Sequence, residues 1–144
     1  MKRAFLDANV LFSAAYTEQS SLLDLWKLTG IRLGTSKYAI EEAQRNLRSE
    51  SGEARLRLLA EALLVIPEAD ARLIPASIQL RDKDKPILAA AIAARAAFLV
   101  TGDRRDFGHF FANIISGVLV VRPSDLIAVI EEEQQSTTAF VGGE

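Results

Sequence analysis

Residues 84–107 read DKPILAAAIAARAAFLVTGDRRDF, and the fold is decided there. Pro86 to Ala96 is an alanine-rich segment that is apolar on nearly every side. A helix without a polar face has to be buried on several sides. Directly after it comes Ala97 to Thr101, hydrophobic almost throughout and closed by Gly102 and Asp103. A short continuous apolar strand beside a buried helix is the pattern of a parallel sheet covered on both faces. The carboxylate that ends this strand therefore emerges at a strand's carboxyl end.

Working outward, the same unit recurs. Arg3 to Leu6 reads as a buried strand followed by Asp7. Val10 to Ala15 and Ser21 to Leu28 read as helical, with Leu22, Leu25, Trp26 and Leu28 in one apolar stripe, and Gly30 supplies the stop. Ile31 to Gly34 is a second strand, after which Thr35 or Ser36 can cap a helix running to about Arg48. Glu53 to Ala62 is helical, and residues 63–66 form a third strand halted by Pro67. Residues 68–83 are mixed, with a short helix near Ala69 to Leu73. Toward the C-terminus, Phe107 to Phe111 is a helical turn, Gly117 to Val121 the last strand, and Ser124 to about Glu133 the last helix.

Strands alternating with helices predict an α/β fold with a central, mainly parallel sheet of five strands. Right-handed crossovers bring the strand carboxyl ends to one edge, so Asp7 and Asp103 are expected to converge there. The 144 residues suit a single domain, assigned to residues 1–130, with an acidic and polar C-terminal tail over 131–144 expected to fray.

Composition narrows the chemistry. Without cysteine there is neither a disulfide framework nor a thiolate metal site, and a single histidine, His109, is too few for a zinc site or a His-based triad. Neither a P-loop nor a dinucleotide fingerprint occurs. The longest apolar run, Pro86 to Ala94, falls well short of the roughly 18 residues of a membrane span. Asp7 follows the first apolar pair too soon for a signal peptide, so a cytoplasmic location is expected. The net charge of −2 is set by the tail, where Glu131, Glu132, Glu133 and Glu144 meet no Lys or Arg; residues 1–130 carry 17 basic against 15 acidic groups. A polyanionic substrate is compatible with that body.

Four acids stand next to strand or helix ends: Asp7, Glu42, Asp84 and Asp103. Hard carboxylate oxygens gathered at one sheet edge are suited to Mg²⁺ or Mn²⁺. Each acid also has a structural reading. Asp7 or Asn9 can cap the first helix, and Asn9 fits a helix beginning at Val10 better. Glu42 competes with Glu41, but Ala39, Ile40, Ala43 and Leu47 define the buried face; Glu41 points away from it, while Glu42 lies on its flank with Asn46 one turn on. Asp84, before Lys85-Pro86, is a good N-cap. Asp106 is either a further ligand or the cap of the next turn, and Asp82 is a weaker candidate. Thr101 can hydrogen-bond a ligand carboxylate. Arg104 and Arg105 either neutralise phosphate or are solvated loop charges.

These residues, in FLDANVLFSA, TSKYAIEEAQRNL, the run from Asp84 to FLVTGDRRDF, and the closing VLVVRPSDLI, resemble the PIN-domain family of metal-dependent ribonucleases over about residues 2–130. The resemblance implies a three-layer α/β/α fold and acidic ligands at Asp7, Glu42, Asp84 and Asp103 for one or two Mg²⁺ or Mn²⁺ ions, with Asn9 and Thr101 at supporting polar positions. It also implies an endoribonuclease, the possibility of a toxin neutralised by an antitoxin protein, and a homodimer. Two rival readings remain. A haloacid-dehalogenase-like phosphatase also starts on a strand-end Asp, but it needs an Asp two residues later, where this chain has Asn9. A catalytically silent PIN-like module would keep the fold and use the acidic pocket for binding alone.

Overall fold

A computed structural model describes residues 1–142, with side-chain environments through Ser136. The strands are β1 (Lys2–Leu6), β2 (Ile31–Thr35), β3 (Leu64–Val65), β4 (Phe98–Val100), β5 (Ile114–Ile115) and β6 (Val118–Val121). They form one sheet in the order β3-β2-β1-β4-β6-β5, parallel except for β5. The helices are α1 (Ala8–Tyr16), α2 (Lys37–Asn46), α3 (Glu50–Glu61), α4 (Lys85–Ala93), α5 (Arg104–Phe107) and α6 (Pro123–Gly142), with 3₁₀ turns at Ser21–Lys27, Ala71–Leu73 and Gly108–Phe110. The architecture is the expected three-layer α/β/α arrangement.

The chain leaves β1 toward β2 and β3, then returns across the sheet to place β4 on the other side of β1. The order of strands reverses there, so a crevice opens beyond the ends of β1 and β4, the usual ligand position in such sheets. Burial explains why these two strands are central. Phe98 to Val100 and Ala4 to Leu6 are buried throughout, and α4 buries Ile87 through Ala91 against the sheet.

The sheet has six strands, against five expected from sequence. The additional one, β5, is a two-residue antiparallel partner of β6, with Ile115 opposite Val118. Ser116 and Gly117 form the connection, with φ of 50° and 86°. Both values are left-handed, as a two-residue hairpin of matching twist requires.

Helix boundaries also differ: α3 starts at Glu50 rather than Glu53, and α4 stops at Ala93 rather than Ala96. The segment expected as one helix to Arg48 ends at Asn46, and Ser49 starts α3 by accepting the Gly52 N–H at 3.0 Å. α1 begins at Ala8, with Asp7 rather than Asn9 at its N-cap. The last helix, expected to stop near Glu133, continues to Gly142, while Glu144 of the expected tail lies outside the described residues. Docking accounts for its continuation as far as Gln134: Ile130 is buried, and the Gln134 amide donates to the Thr29 carbonyl at 3.3 Å. No described helix is long and apolar enough to cross a membrane.

Candidate active site

At the end of β1 the backbone enters α1 through Asp7, whose N–H continues the ladder to the Val100 carbonyl at 3.0 Å. That bond fixes the end of β1 beside the end of β4. The buried Asp7 carboxylate accepts the Ala8 N–H at 2.7 Å on one oxygen and the Thr101 hydroxyl at 2.8 Å on the other. Burial pushes its pKa up to about 6; the two hydrogen bonds oppose this, and Glu42 and Asp103 add to it.

Thr101 is fully buried and links three groups. Beyond Asp7, its oxygen accepts the Asp103 N–H at 3.1 Å and the Asn9 amide at 3.4 Å. Asn9 in turn accepts the Gly102 N–H at 3.2 Å. The amide that sequence reading favoured as a helix cap is a clasp between the two strand ends. A Cβ at Gly102 would meet nothing within 4 Å, so the loop is open on that side. Asp103 then caps α5, one oxygen accepting the Arg105 and Asp106 N–H groups at 3.0 Å each.

α2 delivers the second acid. Ser36 caps it by accepting the Ala39 N–H at 3.2 Å, while Thr35 is committed to the Leu6 carbonyl at 2.8 Å. The Tyr38 hydroxyl donates to the Lys83 carbonyl at 2.7 Å, tying α2 to the loop that precedes α4. Glu42 and Asn46 consequently face the same cavity as Asp7, Asp84 and Asp103, a space of about 370 Å³ that Phe12 and Lys83 also line. The Asn46 side chain itself donates to the Glu42 carbonyl at 3.0 Å. Glu41 is turned out to solvent, 4.0 Å from the Lys37 ammonium. The helical periodicity had separated the two glutamates in this way.

Asp84 departs from its structural reading. It occupies the N-cap position of α4 but makes no side-chain capping bond. It is nevertheless buried, and Oδ2 has no hydrogen-bond partner. Burial first, then the neighbouring Asp106 carboxyl, pushes its pKa up to about 7, against the pull of the Lys83 ammonium. A buried carboxylate oxygen without a donor is costly, and a cation in the cavity would satisfy it.

Asp106 lies on the other side of Asp84. Oxygens of Asp84, Asp103 and Asp106 come within 4.8 Å of one another, the tight acidic group among the described residues. Asp106 pairs with Arg81 at 3.1 Å and Lys83 at 3.5 Å. Its burial favours protonation, yet the neighbouring carboxyls and these two cations hold its pKa below the ordinary value. Lys83 is also 3.8 Å from Asp84; its pKa is raised, because Asp84, Asp106 and Glu42 outweigh its partial burial. Sequence reading missed both cations. Their only signal was the alternating charge of Arg81-Asp82-Lys83-Asp84. Asp82 itself is exposed and paired with Lys85 at 3.1 Å, outside the cavity. Arg104, Arg105 and His109 are exposed and do not line it.

A family model described as "PIN domain" matches residues 3–105, a segment that contains Asp7, Glu42, Asp84 and Asp103. The chain belongs to the PIN-domain family. Solved structures agree in fold. VapBC2 from Rickettsia felis, bound to a DNA fragment from its promoter, superposes with a TM-score of 0.64 at 17% identity, covering 83% of this chain and 98% of that one. VapBC-1 from nontypeable Haemophilus influenzae gives 0.58 at 17% identity, over 85% and 98%. FitAB bound to an IR36 DNA fragment gives 0.52 at 19% identity, over 83% and 94%. At such identities the likeness is one of fold. No curated protein matches the chain.

Proposed function

We propose that this PIN-domain protein is an endoribonuclease that hydrolyses RNA phosphodiester bonds with Mg²⁺ or Mn²⁺, one ion or two. The carrying observation is the convergence of Asp7, Glu42, Asp84 and Asp103 on one cavity, with Asp84 buried and its Oδ2 without a hydrogen-bond partner. Asp7, Asp84 and Asp103 would hold the metal, Glu42 would complete the cage or orient the attacking water, and Asp106 is a further ligand within reach. When bound, the ion neutralises the acids and brings the pKa of water toward neutrality.

The chain's own groups prepare this. Thr101 and the Ala8 N–H hold both oxygens of Asp7 in place, and Asn9 keeps the two strand ends together. No nucleophilic side chain is required, in keeping with the absence of cysteine. A phosphatase of the haloacid-dehalogenase type would need a proton donor two residues after Asp7. Asn9 is an amide already engaged with Gly102 and Thr101, which argues against that chemistry.

The structural neighbours are VapBC and FitAB, which favours the toxin of a toxin–antitoxin pair, with an antitoxin protein as partner. A cytoplasmic location and a homodimer complete this reading.

The test is purified protein on assorted single-stranded RNAs with Mg²⁺, Mn²⁺ or EDTA. Cleavage with either metal and none in EDTA is the expected result. Should no RNA be cut, calorimetry of Mn²⁺ with wild type and Asp7→Asn separates the silent module from a selective nuclease. Loss of Mn²⁺ binding in Asp7→Asn keeps the metal centre; no Mn²⁺ binding by wild type removes it.

A further inference from the structure

Beside the acidic cavity lies a second, open groove of about 530 Å³, lined by Arg81, Arg105, Asp106, His109 and Phe110 among others. Asp106 is the wall between the two. It lines the groove, while its oxygen is within 4.8 Å of Asp84 and Asp103, which line the acidic cavity. Its pairs with Arg81 and Lys83 hold one cation over the groove and the other over the cavity. Lys83 also faces Asp84 at 3.8 Å, so the wall itself carries no excess of positive charge, and Arg105 is the groove cation with no acidic partner among the described residues. Arg105 and His109 are exposed, with no side-chain partner among the described hydrogen bonds and ion pairs, while Phe110 presents a partly buried ring.

We propose that this groove is the lane in which a single RNA strand lies as it enters the acidic site. Arg81, Lys83 and Arg105 contact backbone phosphates, and His109 and Phe110 offer ring faces to bases. This deepens the nuclease reading and rests on it. Cations following a backbone with aromatic faces beside them are what sequence-tolerant single-strand binding uses. The geometry also divides the arginine pair: Arg105 lines the groove, whereas Arg104 lines neither it nor the acidic cavity. Asp106 acts as a positioning residue here, since it holds Arg81 and Lys83 at the junction.

The experiment measures anisotropy of a labelled 12-nucleotide single-stranded RNA with the full chain in EDTA, across a salt series. Cleavage with Mn²⁺ is assayed in parallel. Arg105→Ala should weaken binding about fivefold and lower the slope of log K against log salt by about 0.7, the share of one phosphate contact on a single strand. His109→Ala should weaken binding with little change in slope, and Arg104→Ala should change neither. All three side chains are exposed, so folding is not at risk. Equal effects of Arg104→Ala and Arg105→Ala, no effect of Arg105→Ala, or no RNA binding by wild type overturn the lane. Cleavage that persists while binding ignores Arg105 and His109 removes the lane and leaves the nuclease. Groove-dependent binding without metal-dependent cleavage removes the nuclease and leaves an RNA-binding face.

Discussion

Where β1 and β4 end, Asp7, Asn9 and Thr101 satisfy one another through hydrogen bonds of 2.8 to 3.4 Å. Where the loop at residues 81–84 meets α5, Asp84 keeps an oxygen with no partner, and Asp106 leans on Arg81 and Lys83, each about half exposed. The strand half is built from bonds to backbone and to a buried hydroxyl, so its geometry is set by the sheet. The loop half is held by charges that water and salt can reach, so it can respond to a cation or a phosphate. On the nuclease reading proposed above, binding a metal and releasing a polyanion would draw on both properties.

The comparison is broken most severely by removing the charge at its rigid side. Asp7→Asn keeps the side chain's size and should lower metal-dependent cleavage by at least about 10²–10³-fold, the scale of losing a preorganised electrostatic group. Circular dichroism should show the fold intact. A folded Asp7→Asn protein with full activity would sink the metal-nuclease reading.

Titration sharpens the contrast next. Both buried acids have raised pKa values, Asp7 to about 6 and Asp84 to about 7, so the folded protein holds protons that the unfolded chain gives up near 3.8. Stability without metal should therefore be greatest below pH 4 as far as these groups decide it, and fall as pH rises through 6 to 7. For Asp7 alone the loss is about 3 kcal/mol. Urea unfolding in EDTA measures it. Asp7→Asn should flatten the curve, and excess Mn²⁺ should raise it most at the alkaline end. A pH-independent stability would contradict the burial of these carboxyls.

Two paired deletions follow. Thr101→Val is nearly isosteric but leaves Asp7, Asn9 and the Asp103 N–H short of a partner, so it should cost about 1–3 kcal/mol. Arg81→Ala, on the solvent-reached half, should cost less than about 1 kcal/mol. Equal costs in thermal unfolding would mean that the halves do not differ as described. Smallest of all, Glu41→Gln loses only an exposed contact to Lys37 and should change neither stability nor cleavage measurably. Loss of activity there, with Glu42→Gln unaffected, would reverse the assignment of the helix face.

Much of the arrangement was legible because it depends on local pattern. Apolar runs located β1, β2, β4 and β6, and the acids after them follow from where such runs stop. The 100° step of a helix separated Glu42 from Glu41. The hairpin strand β5 was missed although Ser116-Gly117 is a turn signal, since two apolar residues are too few to show alternation. α6 was cut short because Gln134 to Thr138 are polar, and what holds Gln134 is the Thr29 carbonyl far back in the chain.

Within the site the same division holds. Side-chain type and spacing alone identified Asp7, Glu42, Asp84 and Asp103 as candidates, because carboxylates at element ends are a property of the chain read in order. Which of them is satisfied and which is not could come only from tertiary structure. Asp84 has the sequence of a helix cap, but it is packed away from the N–H groups it would cap. Lys83 and Arg81 look like solvated loop charges until the fold brings Asp106 against them. Local propensity acts over a few residues, whereas desolvation and charge pairing depend on which distant segments the sheet places side by side.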